Sequence, residues 1–122
     1  MAFLAAQNRG AQLIDIIGWS DDRIDFSLTP LIGLQFAQTP LRLWTKTLET
    51  HLLNQFHPQI ELRGPRTLSV LTLSPKIGLK SSGLRWELQW SGGGPKVSQS
   101  NSVAHLGSIC VSEGAAYVSL ER

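Results

Sequence analysis

Apolar side chains between positions 39 and 58 recur at steps of three and four residues, the period of one face of an α-helix. Thr39-Pro40 suits a helix start, because the threonine hydroxyl can cap the helix and proline needs no amide partner in the first turn. His57-Pro58 suits its end. We therefore expect a helix over residues 41–56. Its apolar stripe consists of Leu41, Trp44, Leu48, Leu52 and Phe56, widened by Leu43 and Leu53.

Other segments alternate apolar and polar residues, which is the period of a half-buried strand. One such segment, residues 24–28, precedes the helix. Five further segments after the helix are predicted to be strands, at residues 59–62, 67–73, 84–90, 103–111 and 116–120, separated by Gly, Pro and Ser clusters. The pattern predicts an α+β fold, in which one main amphipathic helix packs on an antiparallel sheet of about five strands. The 122 residues suit a single domain, 1–122.

The tryptophans are the most conspicuous side chains of the predicted sheet. In residues 84–90, LRWELQW, every apolar residue is even-numbered, so Trp86 and Trp90 share a face with two leucines. This alternation predicts that both rings lie in the core, with Trp44 packing onto them from the helix. The alternative is that Trp86 and Trp90 are exposed and stack on the bases of a nucleic acid.

Residues 91–102, SGGGPKVSQSNS, are too polar and too rich in glycine to pack. We expect them to form a mobile loop. The segment lacks the Gly-Lys-Ser/Thr ending of a phosphate-binding P-loop.

Charge is distributed unevenly along the chain. Residues 1–62 hold four Lys/Arg and six Asp/Glu, a net charge of −2, whereas residues 63–122 hold seven and three, a net charge of +4; the sum is the +2 of the whole chain. Such a basic half favours an anionic partner, either acidic lipid or a phosphate backbone. The residues expected to make this contact lie near turns and are Arg63, Arg66, Lys76, Lys80 and Lys96.

Catalytic and metal-binding signatures are absent from the sequence. His51, His57 and His105 form no spaced metal pair, and no His-Glu-x-x-His, Gly-x-Ser-x-Gly or Walker motif occurs. We predict no catalytic residue, no metal and no cofactor.

Cys110 is the single cysteine, so it forms no intramolecular disulfide. We expect its side chain to be buried and the protein to occupy a reducing compartment.

The first ten residues, MAFLAAQNRG, lack the layout of a secretory signal. No apolar run approaches the length of about 18 residues that a membrane span needs. We therefore expect an intracellular soluble protein whose membrane contact, if it has one, is peripheral.

Four segments together resemble the core of rhabdovirus matrix proteins. They are LRLWTKTLETHLLNQF, LSVLTLSP, LRWELQWSGGGP and ICVSEGAAYVSLER. The resemblance covers residues 24–122. It lies in a helix ahead of the sheet, an aromatic-rich strand before a Gly/Pro turn, and a final strand pair with small residues and Tyr117. The Pro-Pro-x-Tyr and Pro-Thr-Ala-Pro budding motifs of that family and its lysine-rich N-terminal arm are missing.

The resemblance implies a non-enzymatic structural protein of the virion and the host cell cytoplasm. Such a protein self-associates into homo-oligomers and bridges ribonucleoprotein to an anionic membrane, and it has no small-molecule substrate. The acidic and basic halves of the chain agree with head-to-tail association. The alternative function is a small nucleic-acid-binding domain that uses the basic region 63–96.

Overall fold

Strands dominate the structure of this protein. The computed structural model describes residues 9–17 and 31–122, and within them the only helical segment is a single turn at residues 31–34. The nine strands are β1 (Ile14–Ile17), β2 (Leu41–Trp44), β3 (Leu48–Leu53), β4 (Gln59–Arg63), β5 (Arg66–Thr72), β6 (Gly78–Leu84), β7 (Gln89–Trp90), β8 (Lys96–Glu113) and β9 (Ala116–Glu121).

All nine strands belong to one sheet, in the order β1-β2-β3-β9-β5-β8-β6-β7, with β4 pairing on β8. The β1–β2 pair is parallel, and the other described pairs are antiparallel. The 18-residue strand β8 connects the two halves of the sheet. Its first part pairs with β5, and its second part lies between β4 and β6.

Residues from several strands of the sheet share its main core. Val70 and Val118 on β5 and β9 belong to the same buried cluster as Leu62 on β4, Leu79 on β6 and Ile109 on β8. The long strand β8 pairs with three of these strands, β4, β5 and β6, and so holds this core together.

A second, smaller core lies on the opposite face of β2 and β3. Leu41, Leu43 and Leu52 pack there with Leu31 of the helical turn and with Tyr117 of β9. The buried Tyr117 hydroxyl donates a hydrogen bond to the Leu31 carbonyl. This contact attaches the helical turn to the sheet, and burial raises the pKa of Tyr117 well above its ordinary value.

The predicted α+β fold is wrong, because residues 41–56 form no helix. They form β2 and β3, joined by a turn in which the Thr45 hydroxyl accepts hydrogen bonds from the amides of Thr47 and Leu48, at 3.3 and 3.0 Å. Apolar residues three and four apart match a helix, but a short run also matches two strands whose buried positions alternate. Pairing of β3 with β9 over six residues decides between the two.

The predicted strands at 59–62 and 116–120 are confirmed, since they correspond to β4 and β9. The strand predicted at 67–73 corresponds to β5 to within one residue, and the strand predicted at 103–111 corresponds to the second part of β8. The predicted strand at 24–28 lies outside the described residues. The strand expected over 84–90 is wrong, since β6 ends at Leu84 and β7 begins at Gln89. Residues 96–102 belong to β8, so only 91–95 connect strands, and the mobility of 91–102 stays a prediction.

No helix within the described residues has the length and apolar character needed to cross a membrane.

Candidate functional site

The loop between β6 and β7 presents an aromatic ring to solvent. Trp86 lies in this loop, residues 85–88, and is 52% exposed. The guanidinium carbon of Arg85 is 4.4 Å from the centroid of its ring, within the range of a cation–π contact. The loop therefore offers an exposed aromatic ring with a cationic group over one of its faces.

Asn101 of β8 fixes the backbone of Trp86. The side-chain oxygen of Asn101 accepts hydrogen bonds from the amides of Trp86 and Ser102, at 3.1 and 2.8 Å. Its amide nitrogen donates to the Trp86 carbonyl at 2.7 Å and to the Ser98 hydroxyl at 3.2 Å. Asn101 is 0% exposed, and these four bonds satisfy its donors and acceptor. A buried polar group therefore supports an exposed ring.

Glu87 and Ser81 fix the other side of the loop. One carboxylate oxygen of Glu87 accepts hydrogen bonds from the Leu84 amide at 2.8 Å and from the Ser81 hydroxyl at 3.1 Å. The Ser81 hydroxyl in turn accepts a bond from the Leu88 amide at 2.6 Å. The amides at the two ends of the loop are thus bonded through a single carboxylate.

Ser100, next to Asn101, has a backbone conformation that is unusual for a residue with a side chain. Its φ is +55°, in the left-handed region, and its amide donates to the Ser69 hydroxyl at 3.2 Å. Such conformations are costly and persist where the surrounding structure enforces them, often at functional sites. This geometry marks the part of β8 beside Trp86 as a candidate site.

The arrangement is suited to binding a planar ring. An aromatic side chain held at both ends of its backbone can stack on a flat ligand without first losing conformational freedom. Among the described residues, no three His, Cys, Asp or Glu side chains form a group that could hold a metal.

The other two predicted core tryptophans occupy different environments. Trp90 on β7 is partly buried and packs against the main core. Trp44 on β2 is half-buried, and its indole N–H donates to an Asp15 carboxylate oxygen at 2.8 Å. Guanidinium carbons of Arg42 and Arg122 lie 5.3 and 5.2 Å from its ring centroid. Of the three rings, only Trp90 therefore contacts the main core, and Trp86 lies at the surface.

Ionised groups surround Trp44 on the open face of β1–β3. Arg42 donates two hydrogen bonds to Asp15, at 2.7 and 2.9 Å, and these bonds lower the pKa of the Asp15 carboxyl. His51 Nε2 lies 3.2 Å from a carboxylate oxygen of Glu49. Burial lowers the pKa of His51, although Glu49 opposes that effect. Because these groups pair with one another, we assign them to stability.

The structure does not bring the five predicted basic residues to one rim. Arg66 begins β5, whereas Lys96 pairs with Thr72 at its other end, which separates them by about 20 Å along the strand. Arg66 is also engaged, with Glu49 at 3.3 Å and with the Glu121 carbonyl at 3.0 Å. The remaining three residues are exposed: Arg63 lies on β4, Lys76 lies before β6, and Lys80 lies on β6.

Sequence reasoning found the ring of this site but missed the groups that hold it. In the sequence, Asn101 does not differ from the other polar residues of 91–102, and Glu87 occupies an outward position of the predicted strand 84–90. A sequence signal was available only for the loop, since Gly83 interrupts the apolar alternation. Cys110, expected in the core, is exposed on β8.

Known proteins resemble this chain in fold. No protein-family model and no curated protein sequence matches it. Solved structures do: thiamine pyrophosphokinase from Bacillus subtilis has a TM-score of 0.77 and 18% identity, over 98% of this chain and 60% of that one. A Lactobacillus plantarum protein has a TM-score of 0.80 and 15% identity, over 99% of this chain and 60% of that one. Thiamin pyrophosphokinase from Candida albicans has a TM-score of 0.70 and 19% identity, over 89% of this chain and 43% of that one.

This chain shares its fold with thiamine pyrophosphokinases. The identities are low, so the likeness establishes the fold alone, and the chain spans about 60% of the length of the two bacterial neighbours. The finding overturns the predicted resemblance to viral matrix proteins, because the neighbours are enzyme folds rich in strands. The predictions of a non-enzymatic assembly protein, of lipid, ribonucleoprotein and homo-oligomer partners, and of no small-molecule substrate are wrong on the same evidence.

Proposed function

We propose that this protein binds thiamine through Trp86, as part of an enzyme of the thiamine pyrophosphokinase type. The observation that carries the proposal is the exposed Trp86 ring, held by the buried side chain of Asn101. Support comes from the names of the structural neighbours, several of which are thiamine pyrophosphokinases. The diphosphate transfer in those names is proposed for the protein as a whole, since this chain spans only part of the neighbours.

The chemistry of thiamine suits the site. Thiamine carries two flat heteroaromatic rings, an aminopyrimidine and a cationic thiazolium, and either can stack on an indole. Strand β8 next to Asn101 also carries polar groups that can orient such a ligand, among them the hydroxyls of Ser98 and of the exposed Ser100. A mainly apolar contact with a few placed polar groups is typical of small-molecule sites.

Isothermal titration of the full chain with thiamine tests the binding. We expect saturable binding by the unaltered protein and a loss of about 5- to 150-fold in affinity for Trp86→Ala, because base-type stacking on an aromatic side chain is worth about 1–3 kcal/mol. Val97→Ala is the matched control, since Val97 is also an exposed apolar residue, 58% accessible, on the same strand as Asn101. Equal affinities for all three proteins would refute the proposed site.

The enzyme class has its own test. The full-length protein, incubated with thiamine, ATP and Mg²⁺, should form thiamine diphosphate, detected by mass spectrometry. Trp86→Ala should reduce formation mainly by raising the KM for thiamine, because the ring contributes binding and not proton transfer.

A further inference from the structure

We infer that Glu87 is a positioning residue, which sets the affinity of the site by holding the Trp86 loop without touching the ligand. The inference deepens the proposed function and rests on it for the identity of the ligand. It concerns a residue that the fold comparison does not single out, and it follows from the hydrogen bonds of the loop.

The strand before the loop carries an irregularity next to its last residue. The pairing of β6 with β8 shifts register between Ser82 and Leu84, where Gly83 has a φ of +81°. A Cβ at Gly83 would lie 2.2 Å from the Leu106 carbonyl oxygen. The bulge is therefore tightly packed against β8. Beyond it the Arg85 amide donates to the Ser102 carbonyl of β8 at 2.8 Å, whereas the Leu84 and Leu88 amides have side-chain partners.

Glu87 supplies those partners with one oxygen. The same carboxylate oxygen accepts the Leu84 amide, before the loop, and the Ser81 hydroxyl, which accepts the Leu88 amide after it. The two ends of the loop are thereby tied together. Because an acceptor oxygen suffices for both bonds, a glutamine at this position can keep them, whereas an alanine cannot.

Glu87 and Asn101 act on opposite sides of Trp86. Asn101 holds the Trp86 amide and carbonyl from β8, and Glu87 holds the flanking residues from within the loop. With both present, the ring is fixed before a ligand arrives. Functional groups held in this way by supporting hydrogen bonds bind more tightly than the same groups on a loose loop.

The test compares Glu87→Ala with Glu87→Gln in the full chain. Titration with thiamine should show affinity about tenfold weaker for the alanine variant and within about twofold of the unaltered protein for the glutamine variant. Amide hydrogen exchange should accelerate at Leu84 and Leu88 in Glu87→Ala only. Glu113→Ala, which removes an exposed carboxylate from β8, is the control and should change neither measurement.

Each contrary result has a distinct meaning. If Glu87→Gln weakens binding as much as Glu87→Ala, the charge contacts the ligand and the positioning role is refuted. Unchanged thiamine affinity in Glu87→Ala, with accelerated exchange, refutes it as well. If Glu87→Ala unfolds, Ser81→Ala, which removes only the Ser81 bridge, replaces it and should weaken binding by a few-fold.

Failure of the proposed function would be recognised separately. If the unaltered protein binds no thiamine, the ligand is wrong, and hydrogen exchange together with the indole NMR signal of Trp86 still decides the role of Glu87. Unchanged exchange and an unchanged indole signal in Glu87→Ala would refute the role whatever the ligand is.

Discussion

The side chain of Asn101 holds the main chain of Trp86 at both its hydrogen-bonding groups, accepting from the nitrogen at 3.1 Å and donating to the carbonyl oxygen at 2.7 Å. A fully buried amide thus fixes the main chain that carries a half-exposed ring. This relationship joins stability to the proposed binding, because any change at Asn101 acts on both.

Asn101→Ala should lower the free energy of unfolding by about 1–3 kcal/mol, since it leaves part-buried backbone groups of Trp86 and Ser102 without their side-chain partner. Thiamine affinity should fall with it. Urea denaturation measures the first effect and isothermal titration the second. Gln99→Ala, at an exposed position of the same strand, should change neither. A stable Asn101→Ala variant with full affinity would contradict our account of the site.

Trp44→Ala should destabilise the protein less than Leu43→Ala. Leu43 is 1% exposed, and truncating a buried leucine costs about 2–5 kcal/mol. Trp44 is half-buried on the open face of the sheet, where its loss removes the contact with Asp15 and the stacked arginines. Thermal or urea unfolding of both variants checks the order. The reverse order would place Trp44 in the core, as the helical pattern predicted.

Stability should rise with pH through the range just below 6.5, because burial lowers the pKa of His51 from its ordinary value of 6.5. As pH falls below 6.5, the unfolded chain takes up a proton at this position before the folded chain does, so acid favours unfolding. The urea midpoint measured between pH 5 and 8 should show this slope. His51→Gln should reduce it, and His105→Gln, at an exposed position, should leave it intact.

Gly83→Ala should be more destabilising than Gly92→Ala. Both glycines have positive φ, +81° and +87°, so each alanine costs about 1 kcal/mol or more through backbone conformation alone. At Gly83 the new Cβ would also meet the Leu106 carbonyl oxygen, whereas nothing lies within 4 Å of it at Gly92. Circular dichroism melts compare the two. Equal melting temperatures would show that the backbone of β8 yields at this point.

Several strands could be predicted from the sequence because their signal is local. The segment of β4 alternates apolar and polar residues, and β9 is a short, mainly apolar run after the turn at Gly114; both patterns are properties of the strand itself. The same alternation failed at residues 84–90. There the bulge at Gly83 and the hydrogen bonds of Glu87 end the strand, and neither is visible in the order of apolar residues.

The sequence by itself determined that the chain folds with most of its strands in the second half, and it identified Trp86 as a residue to explain. Only the tertiary structure decided that residues 41–56 form strands. The choice depends on pairing of β3 with β9, in which Leu52 lies opposite Tyr117, a residue 65 positions later in the chain. It also decided that Trp86 is exposed. The main chain at Trp86 is held by Asn101, which reaches it from β8, and a backbone held by a distant partner leaves no local periodicity in the sequence.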